Sequence, residues 1–584
     1  MKLHLIRHAE SEANAASDLD NPTYYYDAKI TSKGKEQAKK LHDKIKHINF
    51  DKYFCSPLTR TLETFSIIFP NKKPIIDPLL REHLYHSCDV GRQPKILKKE
   101  FADYNFNNLK DSKIRDLIEF NDPECHVVKT KLIDFDFSKQ RLNEEVLEYL
   151  LEVPDLIKLE ESLESLFKGR IVNRSENRLV SHTLYRNKKP IKGFELIFSE
   201  REKIKYNLEK KIISANFKNL ICICIGGSRL GPELLSEFQA LNGSVKVYYC
   251  SSLDLLELQD ILKNCLQSET AVLVSSKSFE TYEILKNLEF IKSWFEKKPD
   301  VDYKRHLFAI SSNILSMTKA GVPEENQFVI LDSLGGRFSV WSSVSLPAFV
   351  NSGFDSYMSF LEGAYLADQH TLDSPWHSNI PVLMALLSIW NTNSLEINNH
   401  GIFCYNFRLR SLAKYVAQLS MESNGKSINF EGEVSAFSTS QLIWGGYGIE
   451  SQHSTFQWLM QGKIRTSCDF IGINGGTGEY KDEYSMLLSQ VIAMAFGEQY
   501  KNEPFKSIEG NNPCSILQLK SLDLKSLGFL LSLYEHKIFI ESLILGVDPF
   551  DQWGVALGKE IAINSRKNKD FFSRIFSSDL LPKS

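Results

Sequence analysis

Gln418 and Glu422 stand four residues apart in SLAKYVAQLSMESNGK (residues 411–426), so on a helix they project from one face. Leu412, Tyr415, Val416 and Leu419 recur at helical spacing and supply the apolar face that such a helix would bury. Gly425 is the expected stop, because glycine alone turns left-handed without steric cost. A carboxylate at the end of a packed helix, held by a rigid turn, is suited to act as a general base. The competing reading is an exposed glutamate beside a helix cap. Two further stretches carry anion chemistry. LICICI (220–225) runs into Gly226-Gly227-Ser228-Arg229-Leu230-Gly231-Pro232, and AVLV (271–274) runs into SSKSFET. In the second loop Ser276, Lys277, Ser278 and Thr281 offer hydroxyls with one ammonium, a set that suits the phosphate end of a sugar phosphate. A polar turn that merely caps a helix is the alternative there.

The elements around these residues follow from pattern. Residues 220–225 are apolar throughout, as in a parallel strand buried on both faces. Strand, small-residue loop and helix bring free N–H groups and the helix dipole together, an arrangement that binds anions. It occurs twice, with the second helix expected from Tyr282. Residues 195–213 read as one helix, and 380–390 as an apolar helix of the core. Near the end, residues 441–463 read as strand, turn and helix, with His453 near the helix start. Gln552 and Lys559, seven apart, fall on one side of a further helix.

A chain of 584 residues exceeds a single core and calls for several domain-sized units. With 42% hydrophobic and 24% charged residues, it has the composition of a globular enzyme. A net charge of −3 supplies no basic field for nucleic acid or an anionic membrane, so any phosphate site must be local. The longest apolar run falls far short of a membrane span. Met1 leads directly into a strand-like KLHLI, which reads as no secretory leader. Ten cysteines are scattered without a CxxC pair, so reduced thiols in the cytoplasm are expected rather than disulfides or a metal site.

MESNGK, the two anion loops, LGGRFSVWSSVSLP (334–347), the Gln452-His453 pair and VDPFDQWGVALGKEIA (547–562) occur in order over some 450 residues. Together they resemble the phosphoglucose isomerase family. The resemblance implies an α/β protein with two sugar-isomerase (SIS) domains, each a mainly parallel sheet flanked by helices. It implies interconversion of D-glucose 6-phosphate and D-fructose 6-phosphate, a step of glycolysis and gluconeogenesis, with no metal and no redox cofactor. By the same resemblance, His453 and Lys559 open the sugar ring, Glu422 moves a proton between C2 and C1 through a cis-enediol(ate), and Arg337 steadies the charge. Ser276, Lys277, Ser278 and Thr281 hold the phosphate, while Gly227, Ser228, Gln418 and Gln552 shape the pocket. A homodimer is implied, with the histidine donated across the interface. The chain departs from the family pattern at Arg229, Ser278, Glu280, Gly446 and Ala556.

The front of the chain is of another kind. LIRHAES (5–11), SPLTRTLET (56–64) and LRE (80–82) resemble the histidine phosphatase (phosphoglycerate mutase-like) superfamily. That resemblance makes His8 the phosphate-accepting nucleophile, Arg7 and Arg60 the phosphate clamp, and Glu82 the acid. The second histidine of that superfamily has no counterpart between residues 83 and 127. Val180-Ser181-His182 looks similar but falls within the isomerase-like part. The module is therefore read as incomplete.

The expected division is 1–127 for this α/β module, 128–215 for the lead-in, 216–350 and 351–562 for the two SIS domains, and 563–584 for a C-terminal arm. Rival readings are an isomerase that is also a phosphatase, an isomerase of altered sugar preference, and an inactive SIS-fold sensor of sugar phosphates.

Overall fold

The computed structural model describes residues 6, 8–12, 15, 28–48, 50, 52–76, 97, 99–105, 126–142, 144–239, 243–473, 478 and 480–567, though not the side chains of 559 and 562–567. In the front module, Phe54–Cys55 (β1) pairs parallel with Ile75–Ile76 (β2). Thr31 caps the helix Ser32–Ile45 by accepting the Gly34 N–H, as the sequence pattern predicts. That helix and Thr59–Ile68 pack over two small apolar clusters, one around Leu62 and Ile76 and one around Ile30 and Ala38.

Val127–Lys129 (β3) and Ile133–Lys139 (β4) form an antiparallel pair. The expected cut after residue 127 falls inside β3. A short hairpin follows, Ile171–Asn173 (β5) with Arg178–Leu179 (β6). The stretch expected as one helix over 195–213 is two, Glu195–Glu209 and Ile212–Asn216, separated by Lys211 in the left-handed conformation at φ 51°.

The first large sheet comprises Asn219–Cys224 (β7), Lys246–Cys250 (β8), Thr270–Ser275 (β9), Leu307–Ser311 (β10) and Gln327–Val329 (β11). Its order is β11-β10-β9-β7-β8 and every pair is parallel. All six residues of β7 and all six of β9 are buried, as their unbroken apolar runs require.

The second sheet comprises Asn399–Cys404 (β12), Leu442–Tyr447 (β13), Ser467–Ile473 (β14) and Cys514–Leu519 (β15), with the lead-in pair added at one edge. Its order is β13-β12-β14-β15-β4-β3, parallel except where β4 meets β15 and β3. The lead-in is thus stitched into the second sheet although it precedes the first in sequence.

The helix Leu524–Leu545 is buried along most of its length and packs against Phe354–Asp373, Ile380–Ile389 and Leu412–Asn424. Ile380–Ile389 is buried from Ile380 to Leu387, which confirms it as core. The mixed α/β class with mainly parallel sheets is therefore the one expected. Among the described residues no helix is long and apolar enough to cross a membrane. The eight described cysteines are free and buried.

Candidate active site

Cys224 of β7 pairs with Ser275 of β9, so the two anion loops leave the same edge of one parallel sheet side by side. The carboxyl ends of parallel strands are where such folds place ligands. Gly226, at φ 57°, makes the tight turn into the helix Gly227–Gln239. A Cβ on Gly227 would lie 2.2 Å from the Gly336 carbonyl oxygen and 2.5 Å from the Arg337 nitrogen. Glycine is needed there because two backbones touch, and this contact brings the first loop against the segment carrying Arg337.

Arg337 lies in the 3-10 turn Gly336–Trp341 and is 4% exposed. Its Nη1 donates to Glu422 Oε1 at 3.1 Å and to Gln552 Oε1 at 2.9 Å. Its Nε donates to Ser423 Oγ at 2.7 Å, and its Nη2 to the carbonyls of Pro549 and Asp551. Burial lowers its pKa, opposed by the Glu422, Asp551 and Asp548 carboxylates. The planar fork of donors is fully used, which a lysine could not reproduce. Glu422 receives the Gln418 amide on its other oxygen at 2.8 Å. Both acceptor edges of the carboxylate are thus fixed, with the side chain still 24% exposed.

The helix Leu412–Asn424 buries Leu412, Tyr415, Val416 and Leu419, as the spacing requires. Its stop at Gly425 is made differently from expectation. Gly425 has φ −73°, not left-handed, and a Cβ there would come 2.4 Å from the Met421 carbonyl oxygen. The residue is needed for close approach rather than for handedness.

In the second loop Ser276 Oγ lies 3.3 Å from Thr281 Oγ1 and accepts the Phe279 N–H, while Ser278 Oγ accepts the Glu280 N–H. Phe279 takes φ 56° with its ring buried, a costly conformation that gives the loop a fixed shape. Thr281 caps the helix Tyr282–Glu296 without a side-chain hydrogen bond, so the cap leaves that helix N-terminus to an anion. Burial lowers the Lys277 pKa, with Asp332 at 3.6 Å opposing. Ser228 donates its N–H to Ile225 within the first turn.

Two departures from the family pattern have structural outcomes. Arg229 pairs with Glu233 at 3.1 Å and Glu257 at 3.2 Å, so its charge is spent locally. Glu280 is exposed.

Of the expectations for His453, Gln552 and Lys559, the one for Gln552 needs correction. His453 lies near a helix start as expected, between the end of Gly448–Gln452, which it caps, and the Thr455 cap of Phe456–Gln461, and it is exposed. Among the described residues no hydrogen bond or ion pair joins it to Glu422, Arg337 or Gln552. Gln552 precedes the helix Trp553–Lys567 instead of lying on it, and its carbonyl accepts from Val555 and Ala556 at the first turn. Lys559 lies on that helix, but its side chain is outside the described residues.

In the front module Arg7 and Glu82 are likewise outside the described residues. His8 Nδ1 lies 2.8 Å from the Ala9 carbonyl oxygen, and the Ala9 N–H donates to Thr64 one turn beyond the buried Arg60. His182, in the Val-Ser-His stretch, is 1% exposed with its ring 4.7 Å from Phe338, and burial holds its pKa well below the usual value. It is a core residue of the isomerase-like part.

Sequence reasoning missed Ser423 and the carbonyls of Pro549 and Asp551 as acceptors for Arg337. Ser423 stood within the motif itself; the carbonyls gave no side-chain signal. A cavity of about 720 Å³ opens beside Glu422 and Gln552, lined also by Met421, Lys426, Asp551 and Trp553. The Ser276–Thr281 loop is not part of its wall.

Two α/β units with a guanidinium-held carboxylate between anion loop and helix define a sugar-isomerase class of protein. Residues 136–579 match the family model described as phosphoglucose isomerase, and residues 3–116 match the histidine phosphatase superfamily (branch 1). Among curated proteins, the chain is 34% identical over 501 residues to a glucose-6-phosphate isomerase of Wigglesworthia glossinidia brevipalpis, covering 78% of this chain and 91% of that protein. It is 35% identical over 522 residues to one of Acinetobacter baumannii, covering 82% and 94%. A glucose-6-phosphate isomerase structure from Chlamydia trachomatis superposes with a TM-score of 0.72 at 30% identity, over 78% of this chain and 91% of that one. The chain belongs to the phosphoglucose isomerase family, and it carries a histidine phosphatase-like module in front.

Proposed function

We propose that Glu422 carries the proton in the interconversion of D-glucose 6-phosphate and D-fructose 6-phosphate. The chain is an enzyme, an aldose–ketose isomerase. The observation that carries the mechanism is the fixed carboxylate of Glu422, held by Arg337 on one oxygen and Gln418 on the other. Held so, it meets a substrate carbon without first reorganising.

His453 and Lys559 open the pyranose ring, passing a proton to the ring oxygen as the anomeric hydroxyl loses one. Glu422 then takes the C2 proton, and the electron pair of that bond forms the C1–C2 double bond of a cis-enediol(ate). The C1 carbonyl oxygen takes up the displaced electron pair and the proton of the C2 hydroxyl, and the carried proton then returns to C1 as the carbonyl forms at C2. Arg337 stabilises the negative oxygen as it develops, from a site already desolvated. Ser276, Lys277, Ser278 and Thr281 hold the phosphate, and Gly227, Ser228, Gln418 and Gln552 contact or shape the pocket. The exposure of His453 in one protomer is consistent with its donation to a second copy, which makes the active enzyme a homodimer. We place it in the cytoplasm, acting on a small sugar phosphate and binding neither nucleic acid nor membrane. We keep the divisions 1–127, 128–215, 216–350, 351–562 and 563–584 as our domain reading.

A coupled assay on purified Glu422→Gln tests this. Turnover should fall by about 10⁴-fold or more while sugar-phosphate binding stays measurable; full turnover would overturn the assignment.

A further inference from the structure

The catalytic pair sits where two elements meet, and a second, deeper contact joins the same two elements. Glu535, in the buried helix Leu524–Leu545, is 1% exposed. Its carboxylate accepts Trp341 Nε1 at 2.9 and 3.0 Å, and the Tyr415 hydroxyl lies 3.5 Å away. Arg186 Nη2 pairs with it from the lead-in segment. The Arg186 guanidinium also lies 4.2 Å from the centre of the Trp341 ring, and its Nη1 donates to Asp368, which His536 contacts at 2.7 Å.

Trp341 ends the 3-10 turn that carries Arg337, four residues further on. Tyr415 precedes Glu422 by seven residues, about two turns, on the same side of its helix. Each element is therefore gripped twice: at the surface by Arg337 with Glu422 and Ser423, and in the core by Glu535. One contact sets a distance but leaves each element free to rotate about it; two contacts remove that rotation. A buried ionic group is a weak source of stability, because desolvation offsets its attraction. Its best-attested use is to specify one arrangement among several similar packings.

We propose that Glu535 is a positioning residue for the isomerisation, setting the placement of Arg337 against Glu422 through Trp341 and Tyr415. The proposal rests on the catalytic reading above. Misplacement of reacting groups by about 1 Å costs on the order of 100-fold in rate without a matching loss of binding.

The test is steady-state kinetics on the full-length chain, its Glu535→Gln variant and its Trp341→Phe variant, with melting temperatures alongside. Glu535→Gln keeps the shape but removes the charge that Arg186 meets. Trp341→Phe removes the N–H together with part of the ring that packs on Arg186 and Phe360, so its rate is read against its folded fraction. In folded protein, kcat should fall about 10- to 100-fold for Glu535→Gln and several-fold for Trp341→Phe, with KM changed less than about threefold. Parental kcat in folded Glu535→Gln overturns the proposal, as does a loss of rate that only tracks the folded fraction. If Glu535→Gln does not fold, Trp341→Phe decides, and a parental kcat there overturns it. An inactive parent would instead remove the reading beneath it.

Discussion

Arg337 and Lys277 are two cations proposed for the site, and the structure treats them oppositely. The Arg337 side chain is 3% exposed and donates to two side-chain carboxyl or amide oxygens, one hydroxyl and two carbonyls. Lys277 is 31% exposed, and its charge faces Asp332 at 3.6 Å, itself 69% exposed, with Glu176 further off. A charge held by five acceptors in a desolvated place is ready for charge that develops only during reaction. A lysine in a solvated loop can shift toward a group already charged, the phosphate. On this difference we propose that Arg337 serves rate and Lys277 binding.

The sharpest way to break that assignment is to remove each cation in turn. Arg337→Met should lower kcat by about 10²- to 10³-fold, more than it raises KM; the reverse pattern would make Arg337 a binding residue. Lys277→Ala should raise KM about 10- to 100-fold and change kcat less than about threefold. A loss confined to kcat would contradict it.

A smaller effect concerns the packing behind Arg337. Burial pushes the Glu200 carboxyl up to about 7, although it accepts the Ser343 N–H and the Tyr185 hydroxyl. A folded value above the ordinary 4.5 means that the folded chain holds the proton more tightly. This site's contribution is therefore full below about 4.5 and is lost as pH rises through about 7. The melting temperature of the parent relative to Glu200→Gln should drop from pH 5 to pH 8; a constant difference would refute the burial argument. The smallest effect belongs to the front module. His8→Ala should leave isomerase turnover unchanged, and a large loss would tie the module to the isomerase site.

Local chemistry was legible in the sequence where a short stretch decides it. Buried strands announced themselves by unbroken apolar runs at 220–225 and 271–274, though Ile225 falls beyond its strand and is 42% exposed. The face carrying Gln418 and Glu422 followed from spacing alone. What escaped depends on contacts distant in sequence. Gly425 is required by the Met421 carbonyl and not by a left-handed turn, which spacing cannot distinguish. The acceptors of Arg337 at Pro549 and Asp551 are backbone atoms more than 200 residues away. Lys211 breaks the helix after Glu209 although nothing in its residue type forbids continuation. The role proposed for His453 rests on resemblance alone, because among the described residues no hydrogen bond or ion pair joins it to Glu422, Arg337 or Gln552.

The central claim is that one carboxylate carries one proton between adjacent carbons. Incubating C2-deuterated D-glucose 6-phosphate with enzyme in ordinary water, and following deuterium at C1 of the product by NMR, measures that transfer directly. The parent should carry deuterium from C2 to C1 of the product in step with isomerisation, and Glu422→Gln should show neither transfer nor product while still binding sugar phosphate. Transfer at the parental rate in Glu422→Gln, or a parent product with no deuterium at C1, would contradict the claim.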